Sequence, residues 1–388
     1  MRIYNTENVF DAGLNRMRYI FDEFPEVIVG ISGGKDSTVT LEMALIVARE
    51  KNRLPLKVMF LDQEAEWSGT IDTVREIMYR EEVDPLWFQI PMVITNNASS
   101  FNRYSYCWNE EKKEEWIHPK DPISLRENRY GTDRFHDLFG AILKKDYPGQ
   151  KVCYLAGVRA EENPKRLVAL TLALTYKHIS WAKRFSKQEE HYTFYPLYDW
   201  SYTDIWKAIF EHKWKYNLIY DEFYKKGVHT QQMRISNLHH ETSVASLMLV
   251  QEIEPETWEK IRVRIDGANT IKHLKNDAIA CPKELPPMFS TWVEYAEYLT
   301  EAMVQEEKNK KLIRYQTEKY KKFLITPEAE RGFSRVVINS ILASDWDLTK
   351  IKNYVVSQDF QTLKNYVNGT ITKENFAINK KNNRLLKL

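Results

Sequence analysis

Apolar residues recur at helical spacing near the start of the chain, where Phe10, Leu14, Met17, Ile20 and Phe21 mark one face and predict a helix within residues 1–24. The pattern then switches to an unbroken, β-branched run, Val27-Ile28-Val29-Gly30-Ile31, which reads as a buried strand. A stretch of helical length without Gly or Pro follows from Ser37 to Arg49. The alternation repeats with a strand at Leu56–Leu61, a helix around Thr70–Glu82, a strand near Leu86–Ile90 and another at Lys151–Ala156. Strands alternating with helices predict an α/β fold: an open, mostly parallel sheet with helices on both faces. Residues 92–130 interrupt the rhythm, being rich in Asn, Ser, Trp and Tyr without a clear period. A stretch of that length in a compact domain reads as an insert that covers or recognises a substrate. After Phe194–Trp206, read as a strand, a turn and a capped helix from Thr203, the pattern becomes mainly helical. The expected domains are therefore 1–225 and 226–350, followed by an Asn/Lys-rich tail, 351–388, that lacks a hydrophobic stripe at its end and should fray.

Composition narrows the classes. A chain of 388 residues, 43% hydrophobic and 28% charged, can bury a sizeable core. Its formal net charge of +2 gives no global basic field of the kind that by itself implies nucleic acid. No apolar run reaches the length of a membrane span and no leader pattern is read, so the expected compartment is the cytoplasm. The three cysteines, Cys107, Cys153 and Cys281, form no C-x-x-C pair, which argues against a disulfide framework or a metal knuckle.

The candidate chemistry lies at the first strand–helix junction, Ser32-Gly33-Gly34-Lys35-Asp36-Ser37. Two glycines let backbone approach a ligand, and a helix start directs N–H groups outward, so the unit suits phosphate. Asp36 stands where a Walker loop needs Ser or Thr, which rules that motif out. Asp62 and Glu64 follow the second strand, on the sheet edge where α/β folds bind ligands. Gly157-Val158-Arg159, with Arg166 further on, follows the Lys151–Ala156 strand and could place a guanidinium against phosphate.

The hexapeptide resembles the pyrophosphate-binding (PP) loop of adenine nucleotide alpha hydrolase-like proteins. These include ATP pyrophosphatases, ATP sulfurylase subunits and phosphoadenosine phosphosulfate (PAPS) reductases. Gly157-x-Arg159-x-x-Glu162 is similar to a pattern in ATP sulfurylase subunits and PAPS reductases, and Pro196-Leu197-x-Asp199-Trp200…Asp204-Ile205-Trp206…Tyr216-Asn217 is similar to the segment closing the PAPS reductase core. Glu254–Trp258, Gly267–Asn269 and the Trp292 segment resemble the immunoglobulin-binding regulator A-like branch, whose members are borne on phages and islands.

The resemblance implies ATP with Mg²⁺, attack by an acceptor oxygen on the α-phosphate, transfer of AMP and departure of pyrophosphate. It implies catalytic roles for Lys35, Asp36 and Arg159. The nucleotide would be bound by Ser32, Gly33, Gly34, Lys35, Asp36, Ser37, Asp62, Glu64, Gly157, Arg159 and Arg166, and the metal by Asp36 or Asp62. PAPS is the alternative ligand. A thiol-dependent reductase needs a C-terminal Glu-Cys-Gly-x-His element, which this sequence lacks; Cys281 lies in Ala280-Cys281-Pro282 instead. Neither an iron–sulfur cluster nor zinc is expected, since the cysteines are scattered and the adjacent His239 and His240 point apart. A second reading is a nucleotide-binding regulatory module acting through a protein partner or DNA. Basic-aromatic stretches at His178–Lys187 and Lys308–Phe323 suit nucleic acid, although a solvated charged face explains them more simply.

Overall fold

The structure is a computed structural model that describes residues 6–372, apart from 97–98, 100–101, 103, 163, 172–173, 186–188, 231–232, 236, 239–243, 270–280, 305 and 344. Lys187, His239, His240 and the last part of the expected tail, 373–388, lie outside the described residues. The chain forms two compact units, one comprising 1–95 and 104–265, the other 96–103 and 266–388. The break expected after residue 225 falls inside the first unit, because two helices beyond it, α8 (Val244–Ile253) and α9 (Pro255–Arg264), pack there.

The first unit is built on a six-stranded sheet of order β3-β2-β1-β6-β8-β7. Its strands are β1 (Glu26–Gly30), β2 (Leu56–Leu61), β3 (Val83–Phe88), β6 (Val152–Leu155), β7 (Ala182–Arg184) and β8 (His191–Phe194). All neighbours run parallel except β7, which returns antiparallel to β8. Side chains alternate across the sheet. Val27 and Val29 join a core with helices α1 (Val9–Glu23), α2 (Lys35–Glu50), α3 (Ser68–Met78) and α6 (Tyr202–His212), whereas Ile28 joins a second core with α4 (Phe135–Asp146) on the other face. The expected open, mostly parallel sheet covered on both faces is therefore present.

Strand order places the ligand edge. From β1 the chain moves outward to β2 and β3, then returns to pair β6 with the other side of β1, in the register Val27↔Cys153 and Val29↔Leu155. Loops leaving β1 and β6 consequently diverge, and a crevice opens at their C-terminal ends. Both phosphate-binding candidates of the sequence leave the sheet at this point.

The insert carries secondary structure of its own. It contains an antiparallel ribbon, β4 (Met92–Thr95) with β5 (Tyr104–Cys107), and turns Cys107 and Trp108 into the second core, where Trp108 is fully buried. Alternation there was hidden because the ribbon buries mainly one end. After it, the exposed Arg129 pairs with Asp146 at 2.8 Å and Arg126 donates to the Asp121 carbonyl at 3.3 Å.

The second unit is helical, as expected: α10 (Trp292–Met303), α11 (Glu307–Lys321), α12 (Pro327–Leu342), α13 (Thr349–Val355) and α14 (Gln358–Val367). Its core takes Ile351, Val355 and Phe360 from α13 and α14, so the tail begins later than residue 351. The basic face of α11 is partly neutralised within the unit, Lys310 pairing with Glu307 at 3.1 Å and Arg314 with Glu301. Among the described residues no helix is long and apolar enough to cross a membrane.

Candidate nucleotide site

Gly33 adopts a left-handed conformation, φ +66°, with its Cα against Thr70 of α3: a Cβ there would meet Thr70 Cγ2 at 2.7 Å. Glycine alone permits both the turn and the contact. Gly34 then occupies the N-cap of α2 and supplies no capping side chain; of the first-turn amides, that of Lys35 donates instead to the Tyr220 hydroxyl. The loop is braced internally. Ser37 Oγ donates to the Gly34 carbonyl at 2.9 Å and receives the Ser32 amide at 3.1 Å, and Asn217 donates to the Gly33 carbonyl at 3.2 Å and to Thr70 at 3.0 Å.

Gly157 locks the second loop onto the first. A Cβ at this position would lie 2.7 Å from the backbone carbonyl of Asp36 and 2.9 Å from the Ser37 nitrogen. That close approach carries Arg159 to the crevice, where its Nε pairs with Asp36 Oδ1 and its Nη1 lies 3.1 Å from Glu161. Arg159 is buried, and so is Lys35, whose ammonium sits 3.4 Å from Asp36 Oδ2 and donates to the Met233 carbonyl at 3.0 Å. Burial lowers the Lys35 pKa, opposed by the Asp36 carboxylate. Tyr220 Oη accepts the Lys35 amide at 3.1 Å, and its ring lies 4.9 Å from the Lys35 ammonium. Two cations, Lys35 and Arg159, thus meet two carboxylates, Asp36 and Glu161, at the start of a helix, where the N-terminal dipole favours negative charge.

Ser32, Gly33, Gly34, Lys35, Asp36, Ser37, Gly157 and Arg159 are brought together. Arg166 stands one step back, pairing with Glu162, which itself accepts the Arg159 amide at 3.0 Å. Asp62 and Glu64 differ. Asp62 is completely buried; one oxygen accepts from Trp87 Nε1 at 3.0 Å and Gln89 Nε2 at 2.9 Å, the other from the Glu64 amide at 2.8 Å. Glu64 is held by a two-pronged Arg264 pair at 2.6 and 2.9 Å and by the Trp108 amide at 2.7 Å. Both carboxylates bind the insert and α9 to the end of β2, and neither is presented to the crevice.

This bears on the expected Mg²⁺. Among the described residues no group of three His, Cys, Asp or Glu is arranged to hold a metal. Asp62 has its oxygens engaged, and Asp36 is a single carboxylate between two cations. The side chains do not fit a protein-built metal centre, and no step is derived through one.

The sequence missed Tyr220 and Met233 as partners of Lys35 and Arg264 as the partner of Glu64, whereas Glu162 belongs to the sequence pattern Gly157-x-Arg159-x-x-Glu162. Tyr220 lies in the Tyr216-Asn217…Tyr220-Asp221 stretch that carried the family likeness, but nothing local marks Arg264.

Comparison with known proteins places the chain in a family. Residues 26–226 match the model of the phosphoadenosine phosphosulfate reductase domain. The chain belongs to that family. Residues 227–380 match a domain of unknown function, DUF3440. "Uncharacterized protein YbdN" of Escherichia coli strain K12 is 26% identical over 382 residues, spanning 89% of this chain and 92% of that one. Among solved structures, PAPS reductase from Candida auris, in a phosphate complex, is 15% identical over 62% of this chain and 98% of its own, with a TM-score of 0.33. FMN adenylyltransferase from Candida glabrata is 13% identical, with a TM-score of 0.34; the likeness covers 56% of this chain and 62% of the adenylyltransferase. Likenesses this weak carry nothing about ligands or chemistry. The immunoglobulin-binding regulator A-like branch does not appear among these matches.

Proposed function

We propose that this PAPS reductase-family chain binds ATP at the β1/β6 crevice and cleaves the bond between the α- and β-phosphates, transferring AMP to an acceptor. The observation that carries the reading is the convergence of Lys35, Asp36 and Arg159 on an uncapped helix start. An oxygen of the acceptor attacks the α-phosphorus and loses its proton. The bond from that phosphorus to the bridging oxygen breaks, and pyrophosphate leaves. The α2 amides hold the leaving phosphates, while Lys35 and Arg159 neutralise charge that develops on them. Asp36 orients both cations; a phosphate entering the site would compete with it for them. Mg²⁺, where required, would arrive on the phosphate oxygens rather than in a preformed protein cage.

A thiol-dependent reductase is the weaker reading. Cys107, Cys153 and Cys281 are all buried, and burial pushes each thiol up, away from the thiolate that such chemistry needs.

One observation favours a second reading, a nucleotide-gated regulator. Lys35 is satisfied by its own chain, at the amide by Tyr220 and at the ammonium by Met233, so a nucleotide must displace those contacts. Phosphorus NMR of the protein incubated with ATP and Mg²⁺ separates the readings. AMP and pyrophosphate from wild type but not Lys35→Ala support the enzyme. Saturable ATP binding without turnover supports the regulator.

A further inference from the structure

A second cavity, of about 510 Å³, opens beside the nucleotide crevice. Its walls come from the β2–α3 loop (Glu66, Ser68), the insert (Ile117, His118) and α8–α9 (Ile253 through Lys260). The two sites share the first turn of α3: Thr70 packs behind Gly33, and Ser68, two residues earlier, lines the cavity. Residues two apart on a helix face different sides, so Ser68 turns to the cavity while Thr70 turns to the loop, and the first turn of α3 links the two.

The lining is chemically lopsided. Ile117, Ile253 and Pro255 make an apolar wall. Opposite stands Glu66, only 5% exposed, with Oε1 accepting from Asn237 at 3.2 Å and no described donor on its second oxygen. His118 turns Nδ1 to the Pro119 carbonyl at 3.2 Å, and its Nε2, buried without a hydrogen-bond partner among the described residues, lies 3.5 Å from Asp62 Oδ1. Burial opposes its charge, but the Asp62 carboxylate outweighs burial and the His118 pKa is raised. Glu254 also lines the cavity, its carboxylate accepting the Ser68 and Gly69 amides at 2.8 and 3.2 Å. Glu256 and Lys260 stand at the exposed rim. The lining therefore sets a buried carboxyl, with the hydroxyls of Ser68 and Thr257, against an apolar wall, and Glu66 once ionised suits an ammonium or amidinium on a small apolar body.

We propose that this cavity is the acceptor subsite and that it recognises a small molecule through a cationic nitrogen held by Glu66, with its apolar portion against Ile117, Ile253 and Pro255. The assignment of the occupant as acceptor rests on the adenylyl-transfer reading; the cation site itself does not. A volume of this size suits a molecule of drug-like or metabolite dimensions. Burial, reinforced by Asp62, pushes the Glu66 carboxyl up to about 8, while Asn237 and His118 pull the other way. Glu254, Glu256 and Lys260 line the same cavity. A bound cation ionises Glu66, so binding near neutral pH should release a proton.

Benzamidine is the test probe, titrated calorimetrically into the full chain without nucleotide, in two buffers of different ionisation enthalpy. Wild type should bind saturably with net proton release. Glu66→Gln, which preserves shape, should bind at least about ten-fold more weakly and release no proton. Glu256→Gln at the exposed rim should weaken binding a few-fold, a variant that does not disturb the buried wall. Lys35→Ala should bind benzamidine as wild type does. Sodium sulfate should show no competition. Absence of benzamidine binding to wild type, or equal binding by Glu66→Gln, overturns the proposal even if AMP and pyrophosphate are formed. Benzamidine binding without AMP formation would leave the cation site standing and remove only its role as an acceptor subsite.

Discussion

Replacing Gly157 by alanine tests the wedge between the two loops. The added methyl would sit 2.7 Å from the Asp36 carbonyl carbon and oxygen and 2.9 Å from the Ser37 nitrogen, all backbone atoms that no side-chain rotation can relieve. The β6 loop must retreat from the start of α2 by several tenths of an ångström or more. Overpacking of this kind costs about 1–3 kcal/mol, which lowers Tm by roughly 2–10 °C in a domain of this size. The functional loss should be larger than the stability loss. Arg159 lies two residues downstream, and its grip on Asp36 depends on the same approach. A displacement of about 1 Å at a positioned group can cost about 100-fold in rate. The assay is ATP affinity by calorimetry and AMP formation, beside thermal unfolding. Gly149→Ala is the control: its φ of +69° makes alanine strained, yet nothing lies within 4 Å of the added atom. It should lose about 1–2 kcal/mol of stability with nucleotide binding intact. A Gly157→Ala protein with wild-type Tm and wild-type ATP affinity would refute the wedge.

Arg264→Ala should cost about 3–5 kcal/mol in urea unfolding, because it strands the buried Glu64 carboxylate, and Arg264→Lys should recover only part, since an ammonium cannot make the two-pronged contact. Tyr220→Phe frees the Lys35 amide; it should lose about 1 kcal/mol of stability while ATP binds as tightly as to wild type or a few-fold tighter, and a ten-fold weakening would instead make the hydroxyl a nucleotide contact. The Glu66 carboxyl, raised from 4.5 to about 8, keeps a proton in the folded chain that the unfolded chain gives up. Its stabilising contribution is complete below pH about 4.5 and is lost as pH rises through about 8. Thermal unfolding across pH 5–8 should therefore show wild type losing up to about 1.4 kcal/mol per pH unit relative to Glu66→Gln; parallel profiles would show that Glu66 is not protonated.

The inner strands β1, β2 and β6 were legible because they are short, apolar and bounded by turn residues, and because Val27-Ile28-Val29 is apolar on both faces, as a central parallel strand must be; the edge strand β7, Ala-Lys-Arg, gave no such pattern. The phosphate loop was legible because its requirements are local: Gly33 needs a left-handed φ, Gly34 an uncapped helix start. Arg159 was recognised with the glycine that positions it. Asp62 and Glu64 were read by position, one unit after the loop, and position alone could not reveal that Trp87, Gln89, Trp108 and Arg264 consume their oxygens. Those partners are distant in sequence, Arg264 by 200 residues from Glu64. The burial of Trp108 and Cys107 was not legible for a related reason: they stand among polar neighbours, and only the β4–β5 ribbon turns them inward. The extent of the second unit was likewise hidden, since Ile351, Val355 and Phe360 sit in a polar sequence and find their core by folding back on α12.

The central claim, that ATP phosphates are held between the α2 start and Arg159, is tested most directly by calorimetric titration of ATP into wild type, Lys35→Ala and Arg159→Ala. The account predicts saturable binding to wild type, weakened at least about ten-fold in each variant while the fold is retained by circular dichroism. Binding of equal strength in all three proteins, or none to wild type, would contradict it.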